Sequence, residues 1–468
     1  MRTYVLDPAS SVPLYEQLYR RLKEDLLSGA IAGGEKLPSK RALAENLNVS
    51  RITVENAYQQ LLTEGYLVSK PRSGYYAEHL ETLPQVTAPG IRPDAAPHGT
   101  PETAVSAGQF PFSVWARLMR GVLLDGREAL LQPIPSEGLP ALREAIAGML
   151  LRSRGMEVDP ASIVIGAGAE YLYTLLFQLL GRENIFALEN PGHRKLRQVY
   201  TANGASLMPV ALDESGVTLQ SLLASGANVL HISPGHQFPT GIVMPIGRRR
   251  QLMAWLGSRE DRYLIEDDYD SEFRFTGRVI PTMYSMDVTG RVIYLNTFSK
   301  TITPALRISY LILPPALLAR YRGKLGFYSC TVPSFEQLTL ARFLSEGYFE
   351  KHVSRMKRRY KLLRAQFLAA LAEAPFASKV EVAGDEAGLH MILKLRTAYS
   401  DEAVAAEIQA SGVPATCLSR YYFPGTGAGE GGAVVLKYAE LSQADFPRVL
   451  TLLGRLTAGE NLEKAAEK

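Results

Sequence analysis

Leucines recur at every fourth position over Leu14, Leu18, Leu22 and Leu26, with Pro13 ahead of them and Gly29 behind. A stripe at helical spacing, a proline suited to a first turn and a glycine suited to a stop predict an amphipathic helix. Ser39 is placed to cap a second helix that turns Ala42, Leu43 and Leu47 inward. Ser50 opens a third, with Val54, Ala57, Tyr58, Leu61 and Leu62 on one face and Arg51, Glu55, Asn56 and Gln59 on the other. Residues 65–78, GYLVSKPRSGYYAE, are two β-prone runs around Lys70, Arg72 and Gly74, a hairpin with a basic tip. Three short helices and a hairpin read as a winged helix-turn-helix, whose third helix can set its polar face in a major groove, although the same pattern also occurs in proteins with no DNA role.

The periodicity then stops. Residues 79–108 are proline-rich and carry no apolar repeat, which predicts a semi-stiff tether extended at roughly 3 Å per residue. Beyond it, seven short runs alternate with helix-length segments: SIVIGAG, NIFALENP, SLMPVAL, NVLHISP, RYLIEDDYD, RVIYLNTFSK and ISYLILP. Most are apolar on both faces, as buried strands of a mainly parallel sheet are when helices cover both sides. Gly168, Pro191, Pro234, Asp267 and Lys300 fall at the carboxyl ends of these runs, where the loops of such a sheet build sites. The expected fold class is α/β. A head occupies 1–78, a linker 79–108 and a body 109–455; the body has a large part at about 155–315 and a smaller α+β part at about 109–150 and 330–455.

Composition changes this picture little. The 468 residues are 46% hydrophobic and 21% charged, an ordinary globular balance, and a formal charge of +4 leaves any DNA affinity to a local patch. Cys330 and Cys417 stand alone, which fits a reducing compartment and no structural zinc. The N-terminus has no apolar signal segment and no run is long enough to cross a bilayer, so a cytoplasmic protein with no membrane partner is expected. Residues 349–367, FEKHVSRMKRRYKLLRAQF, read as a basic amphipathic helix whose charged face is solvated rather than in direct contact with DNA, and the last residues, ENLEKAAEK, read as a frayed tail.

The candidate chemistry lies at the strand ends. In TFSKTITPALR, Lys300 follows an apolar run, is bracketed by Thr297, Ser299, Thr301 and Thr303, and has Arg307 seven residues on. An amine for an aldehyde and a cation with hydroxyls for a phosphate are what pyridoxal 5'-phosphate requires of a protein. The third requirement is a carboxylate to hold the pyridine nitrogen protonated. In IEDDYD an apolar run ends in acids, and a buried Asp267 needs a cationic partner. A pyridinium would serve; a solvated loop or a metal site is the other reading, although no histidine stands at ligand spacing. Tyr269 is then placed for the cofactor's phenolic oxygen. GAGAEYLYTLLFQLL offers backbone N–H groups to a phosphate or is simply a strand-to-helix turn. His193, in ENPGHRKLR, is placed to stack on a pyridine ring or to serve as a loop residue, and SPGHQFPTGIVMP brings His236 and Gln237 to a further strand end.

Two resemblances join these signals. The string LPSKRALAENLNVSRITVENAYQQLLTEGYL resembles the GntR family of winged helix-turn-helix regulators, and EDDYDSEFR, HQFPTGIVMP and TFSKTITPALR resemble fold-type I aminotransferases over about residues 105–455. Together they resemble the MocR subfamily of GntR regulators. By that resemblance Arg41 and Arg51 contact DNA, Ser39, Ser50 and Thr53 meet phosphates, and Arg72 and Gly74 belong to the wing. Lys300 forms the Schiff base with pyridoxal phosphate, Asp267 meets the ring nitrogen, and Tyr269, His236 and Gln237 lie near the phenolic oxygen. Gly168, Ala169, Glu170, Thr297 and Arg307 surround the phosphate, and His193 lies against the ring.

The chain departs from the subfamily pattern in four places. Glu55 replaces an arginine of some relatives, His193 a tyrosine, and Lys195 an arginine. Lys437 stands where aminotransferases carry a carboxylate-clamping arginine; it lacks the planar fork, and Arg420 is the other effector-carboxylate candidate. The implied protein is a homodimeric transcriptional regulator that reads repeated half-sites of double-stranded operator DNA and senses pyridoxal phosphate or an amino compound. A working aminotransferase and a scaffold that binds no cofactor are the alternatives.

Overall fold

The three expected helices form as α1 (Leu14–Leu27), α2 (Lys40–Leu47) and α3 (Arg51–Thr63), followed by the hairpin β1 (Leu67–Lys70) and β2 (Gly74–Ala77). The caps act as read: the Ser39 hydroxyl accepts from the Ala42 amide and the Ser50 hydroxyl from the Thr53 amide. Leu18, Leu22, Leu43, Val54, Tyr58, Leu61 and Leu67 are buried together as one core. The computed structural model describes residues 3–8, 10, 12–71, 73–79, 110–275, 280–384, 387–426 and 432–458. Arg72, the tether apart from His79, and the last ten residues lie outside these.

The chain divides into two units, Met1–Thr100 and Pro101–Lys468. Among the described residues, the second holds an eight-stranded sheet in the order β3-β10-β9-β8-β7-β4-β5-β6. Its strands are β3 (Ile163–Gly166), β4 (Ile185–Asn190), β5 (Ser206–Asp213), β6 (Gly216–Val217), β7 (Val229–Ile232), β8 (Tyr263–Asp267), β9 (Val292–Thr297) and β10 (Ser309–Ile312). Pairs β5-β4-β7-β8-β9 run parallel, whereas β10 is antiparallel to both its neighbours, β9 and β3. All seven apolar runs are strands. The sheet is therefore mixed, with β10 reversed and β6 folded back on β5.

Side chains alternate between the faces of this sheet. Ile163, Ile165, Tyr294, Tyr310 and Ile312 point into a layer with α4 (Phe112–Gly126), α5 (Pro140–Arg154) and a helix at Ser334–Ser345. Val164, Ile293, Leu295 and Leu311 point the other way, into a layer built with α6 (Ala169–Leu180), α7 (Arg194–Ala202) and a helix at Pro315–Leu325. This corrects the expected boundary. The segment 110–154 and the helix at Ser334–Ser345 do not join the smaller part, because their apolar stripes (Trp115, Leu142, Ile146, Leu340, Phe343) pack on the large sheet.

The smaller part is an antiparallel sheet of β11 (Val380–Ala383), β12 (Met391–Leu395), β13 (Ala415–Cys417) and β14 (Ala433–Leu436), in the order β11-β12-β14-β13. Helices at Tyr348–Ala372, Asp401–Ser411 and Phe446–Ala458 cover it, with Phe367, Leu393, Val404, Leu436, Val449 and Leu453 in the shared core. The first of these is the basic amphipathic helix; it buries Met356, Tyr360, Leu363 and Phe367 along one stripe.

Candidate cofactor cleft and DNA-contact face

On the head, Arg51, Glu55, Asn56 and Gln59 are exposed along α3. Glu55 is not idle in its unusual position: it is ion-paired with Lys40 at 2.7 Å. Arg41 is paired with Glu45 at 2.8 Å, an exposed contact worth little that a phosphate can replace. Ser39 and Ser50 spend an acceptor lone pair on helix caps, and the Ser50 hydroxyl lies 2.9 Å from that of Thr53. Gly74 opens β2 at φ +121°, a conformation that favours glycine. The wing gains rigidity from Lys70, which lies 4.6 Å from the Tyr76 ring centroid. Ile52 was missed by polar-face reasoning: it is 67% exposed on α3, an apolar side chain of the kind that reads a thymine methyl.

In the second unit the carboxyl ends of the strands converge on one cleft. Ala169, Glu170, His193, Asp267, Tyr269, Thr297, Lys300 and Arg307 all line it, joining residues up to about 140 positions apart in sequence. Lys300 lies within the single turn Phe298–Thr301 that follows β9, and Thr297 caps that turn by accepting from the Ser299 amide. Arg307 adopts φ +51° just past the turn Pro304–Leu306. Gly168 precedes α6 at φ +94°, so close behind the Arg307 guanidinium that a Cβ there would overlap it.

The acids of IEDDYD separate cleanly by partner. Glu266 accepts from the Met283 and Tyr284 amides, each at 2.9 Å. Asp268 is ion-paired with Arg154 and accepts from the Tyr294 hydroxyl at 2.7 Å. Asp270 lies 2.9 Å from His236 Nδ1. Asp267 Oδ2 accepts from the Tyr173 hydroxyl at 2.6 Å and lies 3.5 Å from His231 Nε2, while Oδ1 is buried without a hydrogen-bond partner among the described residues. Burial of such an oxygen is costly unless a donor arrives, and a ring N–H⁺ in the cleft would be that donor. The residues therefore fit pyridoxal phosphate at this end. Burial, with the charges of Asp270 and Asp267, keeps Tyr269 a neutral phenol, and its hydroxyl lies 3.2 Å from His236 Nδ1.

Four expectations are corrected. Gln237 does not reach the cleft: its amide donates to the Pro191 and Phe238 carbonyls and accepts from the Thr240 amide, so the loop consumes it. His236 is turned to Asp270 and likewise does not line the cleft. Arg420 and Lys437 do not line it either; Lys437 faces Glu440 at 3.8 Å. His236 and Asp270 also meet His390, with one ligand-type atom of each within 4.8 Å of the others, although no such spacing shows in the sequence. His390 Nε2 lies 3.0 Å from the Pro239 carbonyl, and burial holds its ring in the neutral form.

The cleft also contains groups that the strand-end motifs do not reveal. Tyr173 and His231 lie within apolar runs and read as core residues; behind them the buried Tyr200 hydroxyl, outside the cleft lining, lies 3.0 Å from His231 Nδ1. Glu189 is buried beside Ser233, whose amide donates to it at 3.1 Å; burial pushes its carboxyl up to about 8. Arg197 lines the cleft, lies 4.9 Å from the Phe423 ring, donates to the Tyr422 carbonyl, and makes no ion pair among the described residues. His193 does line the cleft, capping α7 through Nδ1 with its ring 5.3 Å from Phe238. Elsewhere in the cleft, Glu170 pairs with Lys195 at 2.6 Å and with Arg307.

Residues 14–76 match the family model for bacterial regulatory proteins of the gntR family, and residues 101–431 match that for aminotransferase class I and II. YdeL of Bacillus subtilis, an uncharacterized HTH-type transcriptional regulator, is 36% identical over 95% of this chain and 96% of its own. The probable rhizopine catabolism regulatory protein MocR of Rhizobium meliloti is 33% identical over 90% and 89% of the two chains. The pyridoxine biosynthesis transcriptional regulator PdxR of Corynebacterium glutamicum is 32% identical over 91% and 92%. Among solved structures, an archaeal alanine:glyoxylate aminotransferase shares 25% identity over 75% of this chain and 88% of that one, with a TM-score of 0.67. With a gntR-type head, an aminotransferase class I and II body and likeness to these regulators over nearly its whole length, the chain belongs to the MocR-type GntR family of transcriptional regulators.

Proposed function

We propose that this regulator binds operator DNA through its winged helix and couples that binding to pyridoxal 5'-phosphate held in the cleft of its aminotransferase-like body. The observation that carries the reading is the buried Asp267 Oδ1, without a hydrogen-bond partner among the described residues, in the same cleft as Lys300. When bound, the cofactor supplies an aldehyde that a primary amine captures and a protonated ring that withdraws electrons. The chain's own residues do the rest. Lys300 presents the amine, Asp267 holds the ring proton, Tyr173 and His231 orient Asp267, and Tyr269 keeps a neutral hydroxyl toward the ring substituents. His193 and Phe238 wall the cleft, and Arg307 receives phosphate.

The signal is the cofactor itself or an amino compound that joins it. One relative is named for pyridoxine biosynthesis and another for rhizopine catabolism. For an amino acid or amino sulfonate the acid end would meet Arg197, because it lines the cleft while Arg420 and Lys437 do not. A homodimer in the cytoplasm, reading repeated half-sites, completes the proposal. Phe112, Leu123, Leu124 and Leu131 are exposed in and just after α4, apolar surface that a second copy would cover.

The test is a gel shift of the full chain on DNA upstream of its own gene, with and without pyridoxal phosphate, beside Lys300→Ala. Sequence-selective binding that the cofactor alters in the native protein and not in the variant is the expected result. An identical cofactor response in Lys300→Ala would sink the coupling. Multiple turnovers with an amino donor and a keto acceptor would instead identify a working aminotransferase.

A further inference from the structure

We propose that Glu170 is a built-in anion that competes with the cofactor's phosphate for Arg307 and Lys195, and so sets how much cofactor is needed to fill the cleft. The inference rests on the cofactor reading above and concerns the opposite end of the cleft from Asp267. Three observations carry it. Glu170 lies in the first turn of α6, where the helix dipole and backbone N–H groups favour any anion. Its two carboxylate oxygens are each engaged by a cation, Oε1 by Lys195 at 2.6 Å and Oε2 by Arg307. The guanidinium lies against Gly168, where the Cβ of any other residue would overlap it, so the chain leaves room for the cation at this place. A carboxylate therefore already makes the charge-assisted contacts that a phosphate would make.

Protonation gives no relief. Partial burial would raise the Glu170 carboxyl, but Lys195 and Arg307 outweigh it and hold it at about 2, so it stays ionised through the physiological range. An entering phosphate, near −2 at neutral pH, must displace the carboxylate from both cations or sit beside it. Either course weakens binding relative to a neutral side chain of the same shape, and a tenfold effect needs only about 1.4 kcal/mol. A sensor gains from this arrangement, because a cofactor held less tightly can leave when its supply falls. The same device gives no benefit to an enzyme that keeps its cofactor permanently.

The experiment titrates the full chain with pyridoxal phosphate, with pyridoxal and with inorganic phosphate, reading intrinsic fluorescence and melting temperature, in native protein and Glu170→Gln. The expected result is pyridoxal phosphate bound about tenfold or more tightly by the variant, pyridoxal within about twofold, and a larger thermal shift with inorganic phosphate. Glu170→Asp, which keeps the charge, stays near the native affinity. Unchanged or weakened pyridoxal phosphate binding in Glu170→Gln, with the fold intact by circular dichroism, overturns the proposal; Glu170→Ala serves the same comparison if the glutamine variant is unstable. If neither protein binds pyridoxal phosphate while inorganic phosphate still stabilises the variant more, the cofactor reading fails and the competition for Arg307 stands.

Discussion

The two ends of the cleft solve opposite problems. At the ring end Asp267, Tyr173 and His231 are buried and Tyr269 half-buried, and Asp267 Oδ1 has no donor among the described residues. At the phosphate end the Arg307 side chain is 49% exposed, and its charge is already matched by Glu170. A ligand completes the first end and must break pairs at the second. Buried charged contacts are expensive to leave unmade, whereas exposed pairs contribute little, so affinity should reside at the ring end and adjustability at the phosphate end. The largest effect should follow from Asp267→Asn, which removes the anion while keeping the shape. Loss of one partner from a buried charged pair costs about 2–5 kcal/mol, roughly thirtyfold or more in affinity for both pyridoxal phosphate and pyridoxal. A drop confined to pyridoxal phosphate in a fluorescence titration would place the main anchor at the phosphate and reverse the comparison.

The ends should also differ in their response to pH. Burial raises Glu189 to about 8, so in the folded state it keeps a proton that the unfolded chain loses near its ordinary carboxyl value. A raised pKa means the associated stability is full below that ordinary value and is lost as pH rises through about 8. Glu170 is the opposite case: held at about 2, it contributes no slope in that window, and its stabilisation is lost only as pH falls toward 2. Melting temperature should therefore fall as pH rises from about 5 to 8, with a slope on the order of 1 kcal/mol per pH unit. Glu189→Gln should lessen that slope, with the remainder carried by buried Glu266 and Glu272, both raised to about 7, and Glu170→Gln should leave it. A slope untouched by Glu189→Gln would assign the titration elsewhere.

Much of the ring end was legible because each of its motif residues closes an apolar run that has no other use for it. Lys300, Asp267 and Tyr269 each lie at or just past a strand end, and the rule that such ends build sites was enough to gather them in one cleft. Tyr173 and His231 were not legible, since a tyrosine in YLYTLLFQLL and a histidine in NVLHISP match core residues until α6 and β7 bring them beside Asp267. Gln237 was legible as a polar residue at a strand end, but whether its amide faces a ligand or its own loop depends on the turn, which composition does not specify. The same limit applies to the fold. Caps and stripes located α1 to α3, yet the stripes of α4 and α5 carry no mark saying which sheet they cover, and nothing in ISYLILP reveals that β10 runs against its neighbours. Tyr173 itself gives the next prediction: Tyr173→Phe removes a hydrogen bond to a carboxylate, worth about 1–2 kcal/mol, and should weaken cofactor binding roughly tenfold without changing its salt dependence.

The smallest effect should come from the exposed end. Arg307→Lys keeps the charge and loses the planar fork, so one of two parallel contacts to a phosphate disappears. Half-exposed pairs of this kind contribute about 0.2–1 kcal/mol, so affinity should fall only about two- to fivefold. The effect should be visible at low ionic strength and should shrink as salt rises, because screening reaches an exposed pair and spares a buried one. Asp267→Asn should show no such convergence with the native protein. If Arg307→Lys instead costs as much as Asp267→Asn and keeps that cost at high salt, then the phosphate end closes over its ligand, and the division of labour between a fixed anchor and an adjustable one is wrong.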